Sequence, residues 1–221
     1  MPPLFRYFSS VNADAFLKRG EVLLRSLSYY RDHEEEGARA DAYEGTLVHR
    51  PEGGLKMTRV ASGEEVSVPY TFESTAKEDD IFIYCMSTEF SKEIAERFRV
   101  DVCIEFVEPH KFLARFRASV ALRRRINVDE LVHGPVHYYE PHEAPIVDWA
   151  LPEKIAMRKP KRFEWQKEYR IVVPRGNAFQ VENVNVKLVP LGHQRQPGST
   201  QHPKEMLKLG NLRKLCKVHT L

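Results

Sequence analysis

Cysteine is scarce in this sequence, and its three copies, Cys85, Cys103 and Cys216, form no Cys-x-x-Cys pair. That excludes a disulfide framework and a cysteine-rich zinc module, and it predicts a reducing compartment. No apolar run approaches the roughly 20 residues that a membrane helix needs. Met1–Phe8 also lacks the basic-then-apolar order of a signal peptide. These absences predict a cytoplasmic protein with no membrane partner. The 11 glycines are dispersed, so no Gly-rich phosphate cradle is present, and no Gly-x-Ser-x-Gly elbow occurs. His133, His137, His142 and Glu143 lie close together, but Gly134-Pro135 breaks the helix that a His-x-x-x-His metal pair requires. No metal is expected.

What is present fits one globular domain: 221 residues, 42% hydrophobic and 29% charged. The reading is a single domain over residues 1–221 with a basic C-terminal segment from about 192 to 221. Charge is lopsided. Residues 151–221 carry 15 Lys+Arg against 5 Asp+Glu, or +10, leaving 19 against 26, or −7, in residues 1–150. A partner rich in phosphate suits the basic third, as does a solvated basic face. Arg123-Arg124-Arg125, outside that third, and Lys159/Lys161/Arg162 within it are basic clusters without a zinc-finger or helix-turn-helix signature.

Periodicity predicts strands at 3–8, 21–27, 80–87, 101–107, 136–140 and 184–191, and a β-meander over 46–50, 55–60 and 65–70. Helices are expected through Phe16 and Leu17, capped by Asn12 or Asp14 and ended by Gly20. Others are expected over Phe90–Phe98, 109–124, Ala150–Met157 and Met206–Leu215. Residues 29–45 are dense in Tyr, Arg and acids and show no period, so they read as a functional loop; 192–204 reads as a flexible one. Strands outnumber irregularly placed helices, which predicts an α+β fold.

Residues 163–173, Phe-Glu-Trp-Gln-Lys-Glu-Tyr-Arg-Ile-Val-Val, read as one strand. Alternation then puts Gln166, Glu168 and Arg170 on one face, and Trp165, Tyr169, Ile171 and Val173 on a core face. A carboxylate on a rigid strand can stabilise a cation that develops during reaction. The same spacing also describes a surface Glu168–Arg170 ion pair.

Three anchors occur in order: Leu4-Phe5-Arg6-Tyr7 on the first strand, Cys85-Met86-Ser87-Thr88 at a strand end, and Gln166-Lys167-Glu168 late in the chain. This order resembles ADP-ribosyltransferases of the Arg–Ser–Glu class with a Gln-x-Glu motif. It also resembles poorly characterised bacterial toxin- and defence-type domains. The resemblance implies a split β-sandwich with short peripheral helices and a cleft for NAD⁺, which is consumed as a substrate. Glu168 is then the catalytic carboxylate, stabilising an oxocarbenium-like ribose as in glycoside cleavage. Gln166 orients the acceptor, and Gln at that position disfavours an arginine acceptor. Arg6, with Tyr7 beside it, meets an NAD⁺ phosphate or ribose. Ser87 meets the nicotinamide ribose or supports Glu168; Ser87 or Thr88 is equally placed to cap the next helix. In the 29–45 loop, Tyr29 or Tyr30 is placed to stack on nicotinamide, and Arg31 or Arg39 to reach phosphates. Asp41 and Glu44 fix the loop or meet ribose hydroxyls. The function implied is NAD⁺-dependent mono-ADP-ribosylation by a bacterial toxin or phage-defence effector. Its acceptor is RNA, DNA or a protein, with an antitoxin as a possible partner. The alternatives are a non-catalytic nucleic-acid-binding or regulatory domain and a metal-independent nuclease.

Overall fold

Short apolar stretches punctuated by Gly, Pro and acidic turns fold into a mixed α+β structure with mostly antiparallel sheets and few helices. The computed structural model describes residues 1–32, 41–193 and 202–221. In chain order the first half runs β1 (Phe5–Phe8), α1 (Ser10–Arg19), β2 (Glu21–Ser26), α2 (Leu27–Asp32), β3 (Thr46–His49), β4 (Leu55–Thr58), β5 (Glu65–Val68), β6 (Tyr70–Thr75), β7 (Ile81–Ser87) and α3 (Lys92–Phe98). The second runs β8 (Val102–Phe106), α4 (Pro109–Ala121), β9 (Val132–Pro135), β10 (His137–Tyr139), α5 (Pro152–Ala156), β11 (Arg158–Pro160), β12 (Glu168–Pro174), β13 (Asn185–Pro190), β14 (Lys204–Lys208) and β15 (Cys216–Thr220).

The main sheet is built around β7. Its sequence Ile-Phe-Ile-Tyr-Cys-Met-Ser is apolar on both faces, as a doubly covered central strand requires. One edge of β7 pairs antiparallel with β12 along its whole length, from Glu168 opposite Ser87 to Pro174 opposite Ile81. The other edge is shared. β2 takes Phe82 and Ile83, and β1 takes Ser87. Between them Tyr84, Cys85 and Met86 have no strand partner on that side, so the sheet forks there. The full order is β14-β2-β7-β1-β8-β15, with β12 and then β9 on the remaining edge of β7.

One face of this sheet carries Leu24, Phe82, Tyr84, Ile104, Ile171 and Val173, and packs under α1 and α4 through Phe16, Phe112 and Phe116. The other face is covered at two ends. A small sheet, β13-β6-β3, closes one end with Leu47 against Ile81, Ile83 and Val172. α3 closes the other, with Ile94 and Ala95 against Phe5, Tyr7 and Cys103. Between the two ends a pocket lies against this face, lined by Cys85, Ser87, Glu168 and Arg170 among others.

Several local expectations change. The strand expected over 163–173 begins only at Glu168, because Lys161–Gln166 is a 3₁₀ turn and Lys167 is left-handed at φ 43°. Period-2 alternation therefore cannot include Trp165. That side chain is half-buried against Phe98, with Arg97 over its ring, while Tyr169 is buried as expected. The 206–215 segment is not a helix: Met206 and Leu207 lie in β14, and Gly210 at φ 74° breaks any helix. Residues 46–70 do not form a meander, since β3 pairs with β6 and β4–β5 stands apart as a hairpin. Leu27–Asp32 is helical where no period was read. The α3 cap is Ser91, whose Oγ accepts from Ile94 N, not Ser87 or Thr88. Ser9 holds the cap position of α1, with Asn12 and Asp14 inside the helix. Gly20 ends that helix at φ 63°, and a Cβ there would meet the Gly210 carbonyl oxygen at 2.3 Å. Parts of the two expected loops, residues 33–40 (including Arg39) and 194–201, lie outside the described residues. Among the described residues no helix is long and apolar enough to cross a membrane.

Candidate functional site

β12 starts where the left-handed Lys167 swings the chain out of its 3₁₀ turn. A non-glycine residue in that region costs on the order of 1 kcal/mol. The Lys167 carbonyl is held in return: Thr88 N donates to it at 2.8 Å, Thr88 Oγ1 at 3.2 Å and Ser87 Oγ at 3.4 Å. Ser87 Oγ also donates to the Gln166 carbonyl at 3.0 Å and accepts from Glu89 N at 3.1 Å. The Ser87-Thr88 pair thus clamps the turn that aims Gln166 and Glu168.

Behind that turn lies a buried charge ladder. Arg170 is fully buried and forks onto Glu44, with Nη1–Oε1 and Nη2–Oε2 both at 2.7 Å. Its Nη1 also donates to the Ala156 carbonyl at 2.6 Å, and its Nε donates to Glu168 Oε1 at 2.6 Å. The second carboxylate oxygen, Glu168 Oε2, takes Lys159 Nζ at 3.0 Å, and the same ammonium reaches Gln166 Oε1 at 2.9 Å. Lys159 lies 3.9 Å from Glu44 Oε2 as well. Burial alone would raise the Glu168 carboxyl pKa, but Arg170 and then Lys159 outweigh it and hold the group well below the usual carboxylate range. Burial works against the charge on Lys159 and Arg170 too. Glu168 and Glu44 outweigh it, so both cations stay charged.

Asp41 is the counter-case. Burial first, and then the Glu44 charge, push its carboxyl up to about 6. It accepts from Tyr43 N at 3.1 Å and sits 3.5 Å from Arg162, while its Oδ2 has no hydrogen-bond partner among the described residues.

Across the pocket stands Arg6. It starts on the α1/α4 face of the sheet, and its guanidinium turns into the fork, where it donates to the Cys85 carbonyl. It stacks over Tyr84 at 4.6 Å. No carboxylate pairs with it among the described residues, and its buried Nε has no partner there. The Cys85 thiol lies beside Glu168, and burial pushes it above the usual thiol range.

These groups enclose a pocket of about 630 Å³, open solvent included. Of the residues singled out from sequence, Arg6, Tyr7, Tyr30, Glu44, Ser87, Gln166, Glu168 and Arg170 border it. Their roles differ from expectation in two cases. Tyr7 is committed to the β7–α3 loop, its hydroxyl donating to the Glu89 carbonyl at 2.8 Å and accepting from Ser91 N at 2.7 Å. Ser87 serves the backbone at 166–167, not the Glu168 carboxylate.

Tyr29, Arg31 and Asp41 do not border the pocket. Tyr29 lies under Arg25, with the guanidinium 4.2 Å from its ring centre. Arg31 is paired with Glu78 and Asp32. Asp41 sits behind Glu44. Sequence reasoning did not assign Lys159 to the site, because Arg-Lys-Pro-Lys reads as solvated basic text. Alternation placed Arg170 on the face of Gln166 and Glu168, with a surface ion pair as the alternative, and its full burial decides against the surface pair. No group of three His, Cys, Asp or Glu that could hold a metal occurs among the described residues.

No family model, no curated protein and no solved structure matches this chain.

Proposed function

We propose that this chain is an NAD⁺-dependent ADP-ribosyltransferase on a split β-sandwich of that type, with Glu168 as its reactive carboxylate. One observation carries the reading. Arg6, Ser87 and the Gln166/Glu168 pair come from three distant parts of the chain and border a single pocket at the fork of the main sheet. The pocket, about 630 Å³ with open solvent included, leaves room for the nicotinamide end of a dinucleotide, with the rest lying toward solvent.

Arg6 is the group suited to an anion. It is a cation with a spare buried donor and no carboxylate, and guanidinium forks fit phosphate oxygens. Tyr30 and Phe5 supply apolar ring surface on the pocket wall. Glu168, ionised and fixed, favours positive charge at the ribose carbon as the bond to nicotinamide breaks and its electron pair leaves with the ring nitrogen. An acceptor lone pair then forms the new bond to that carbon. A toxin or defence role, a nucleic-acid acceptor and an antitoxin partner belong to the same proposal. Two basic residues are already used internally, Lys159 in the ladder and Arg123 on the Met206 carbonyl. That narrows the basic surface open to RNA or DNA.

The test is purified protein with adenylate-labelled NAD⁺ and pools of RNA, DNA and protein. Nicotinamide release and label in one pool are expected. Their absence overturns the reading, as does wild-type rate in a folded Glu168→Gln variant.

A further inference from the structure

Among the described residues, Lys159 is the group that reaches both halves of the Gln-x-Glu pair. It is 5% exposed and stands on β11, outside the 3₁₀ turn that carries Gln166 and the strand that carries Glu168. An ammonium has three donors and no acceptor. The Gln166 atom at 2.9 Å from Nζ is therefore the amide oxygen, which fixes the way the amide is turned. The second donor goes to Glu168 Oε2 at 3.0 Å, and the Phe163 ring lies 4.8 Å from Nζ, shielding it. Gln166 is also held at its carbonyl by Ser87.

We propose that Lys159 is a positioning residue of this pocket, locking the Gln166 amide and the Glu168 carboxylate into one rigid unit. The proposal rests on the transferase reading above for its kinetic consequence, but not for its structural one. Without Lys159, Arg170 still holds Oε1 and the Cys85 thiol stays beside the carboxylate, but the bridge that ties Oε2 to the amide oxygen is lost. A displacement of about 1 Å at a reacting group costs roughly 100-fold in rate.

The groups facing Glu168 set the background for a titration. Arg170 is on its own strand, Cys85 on β7, Arg6 on β1 and Tyr138 on β10. Tyr30 comes from α2, and Glu44 lies beyond Arg170. Among the described residues, Lys159 and Arg170 are the cations that bond the carboxylate.

Two measurements test the assignment on the full chain. The first is steady-state nicotinamide release from NAD⁺ by wild type, Lys159→Met and Lys159→Arg across pH 5–9. Lys159→Met is expected to lose roughly 100-fold in kcat with KM for NAD⁺ nearly unchanged, and Lys159→Arg to recover part of the rate. Equal kcat in all three, or a loss confined to KM, overturns the role. The second is a ¹³C titration of the Glu168 carboxyl, which needs no activity. In wild type it stays ionised through the accessible range; in Lys159→Met or, if that variant does not fold, Lys159→Gln, its midpoint rises by about one unit or more. An unmoved midpoint overturns the proposal. If wild type releases no nicotinamide while the midpoint moves, the transferase reading fails and the positioning by Lys159 stands.

Discussion

The two arginines of the pocket have the same guanidinium and opposite circumstances. Arg170 on β12 is fully buried, and each of its three nitrogens meets a carboxylate oxygen. Arg6 on β1 rests on one backbone carbonyl and a tyrosine ring, with a buried donor left over. Buried polar groups are ordinarily satisfied. The saturated arginine therefore belongs to the scaffold, and on the proposed function the under-used one is where a ligand phosphate binds.

The largest effect that would break this contrast is expected at Arg170. Arg170→Met leaves Glu44 and half of Glu168 uncompensated in the interior, and breaking a buried pair costs about 3–5 kcal/mol. A urea denaturation midpoint within experimental error of wild type would show that the ladder is not what joins the Glu44 turn to β12.

Next comes Asp41. Its carboxyl rises from 3.8 to about 6 on folding. Between those values the folded state binds the extra proton, so stability falls as pH rises from about 4 to 6 and stays lower above, by roughly 3 kcal/mol at most. Glu168 has the opposite sign. Its depressed pKa contributes stability above the ordinary 4.5, which is lost as pH falls below it. The two windows scarcely overlap. Asp41→Asn should flatten the decline above pH 4 in thermal melts; an unchanged slope there refutes the assignment.

Arg6→Met sharpens the comparison from its other side. A hydrogen bond to a charged group is worth about 1.5–3 kcal/mol, so NAD⁺ affinity by calorimetry should fall roughly 10- to 100-fold. The melting temperature of the free protein should move far less than in Arg170→Met. The reverse ranking would make Arg6 scaffold as well. The smallest effect is expected for Ser87→Ala, about 1 kcal/mol of stability from the loosened turn at 166–167.

Sequence pattern carried the strands well where one rule sufficed. Ile81–Ser87 is apolar throughout and lies at the centre, and Tyr169, Ile171 and Val173 do form a core face. It failed where a single residue changed the rule. The left-handed Lys167 ends the alternation backward at Glu168, and nothing in Gln-Lys-Glu announces it, since left-handed turns favour glycine. Arg6, Ser87 and Glu168 were legible as an ordered trio. Their meeting depends on the fork in the sheet, which arises from where β1 and β2 stop pairing with β7. Lys159 was illegible for a different reason. A lysine is almost never buried without a partner, and its partners stand 7 and 9 positions later and, in Glu44, more than a hundred earlier.

The two outermost strands beside β2 and β8 have a consequence for how the chain acquires its shape. β14 sets Lys204 against Arg25, and β15 sets Cys216 against Phe106. Both branches of the fork thus end in one late stretch, whose Leu209, Leu212 and Leu215 run through the core between them. Such pairings join residues far apart along the chain, so their closure entropy makes them late and slow. While the ribosome is still adding this stretch, β2 and β8 both show open hydrogen-bonding edges, the state in which nascent β proteins are most prone to aggregate. A premature stop before Lys204 would make that transient exposure permanent on both branches of the fork.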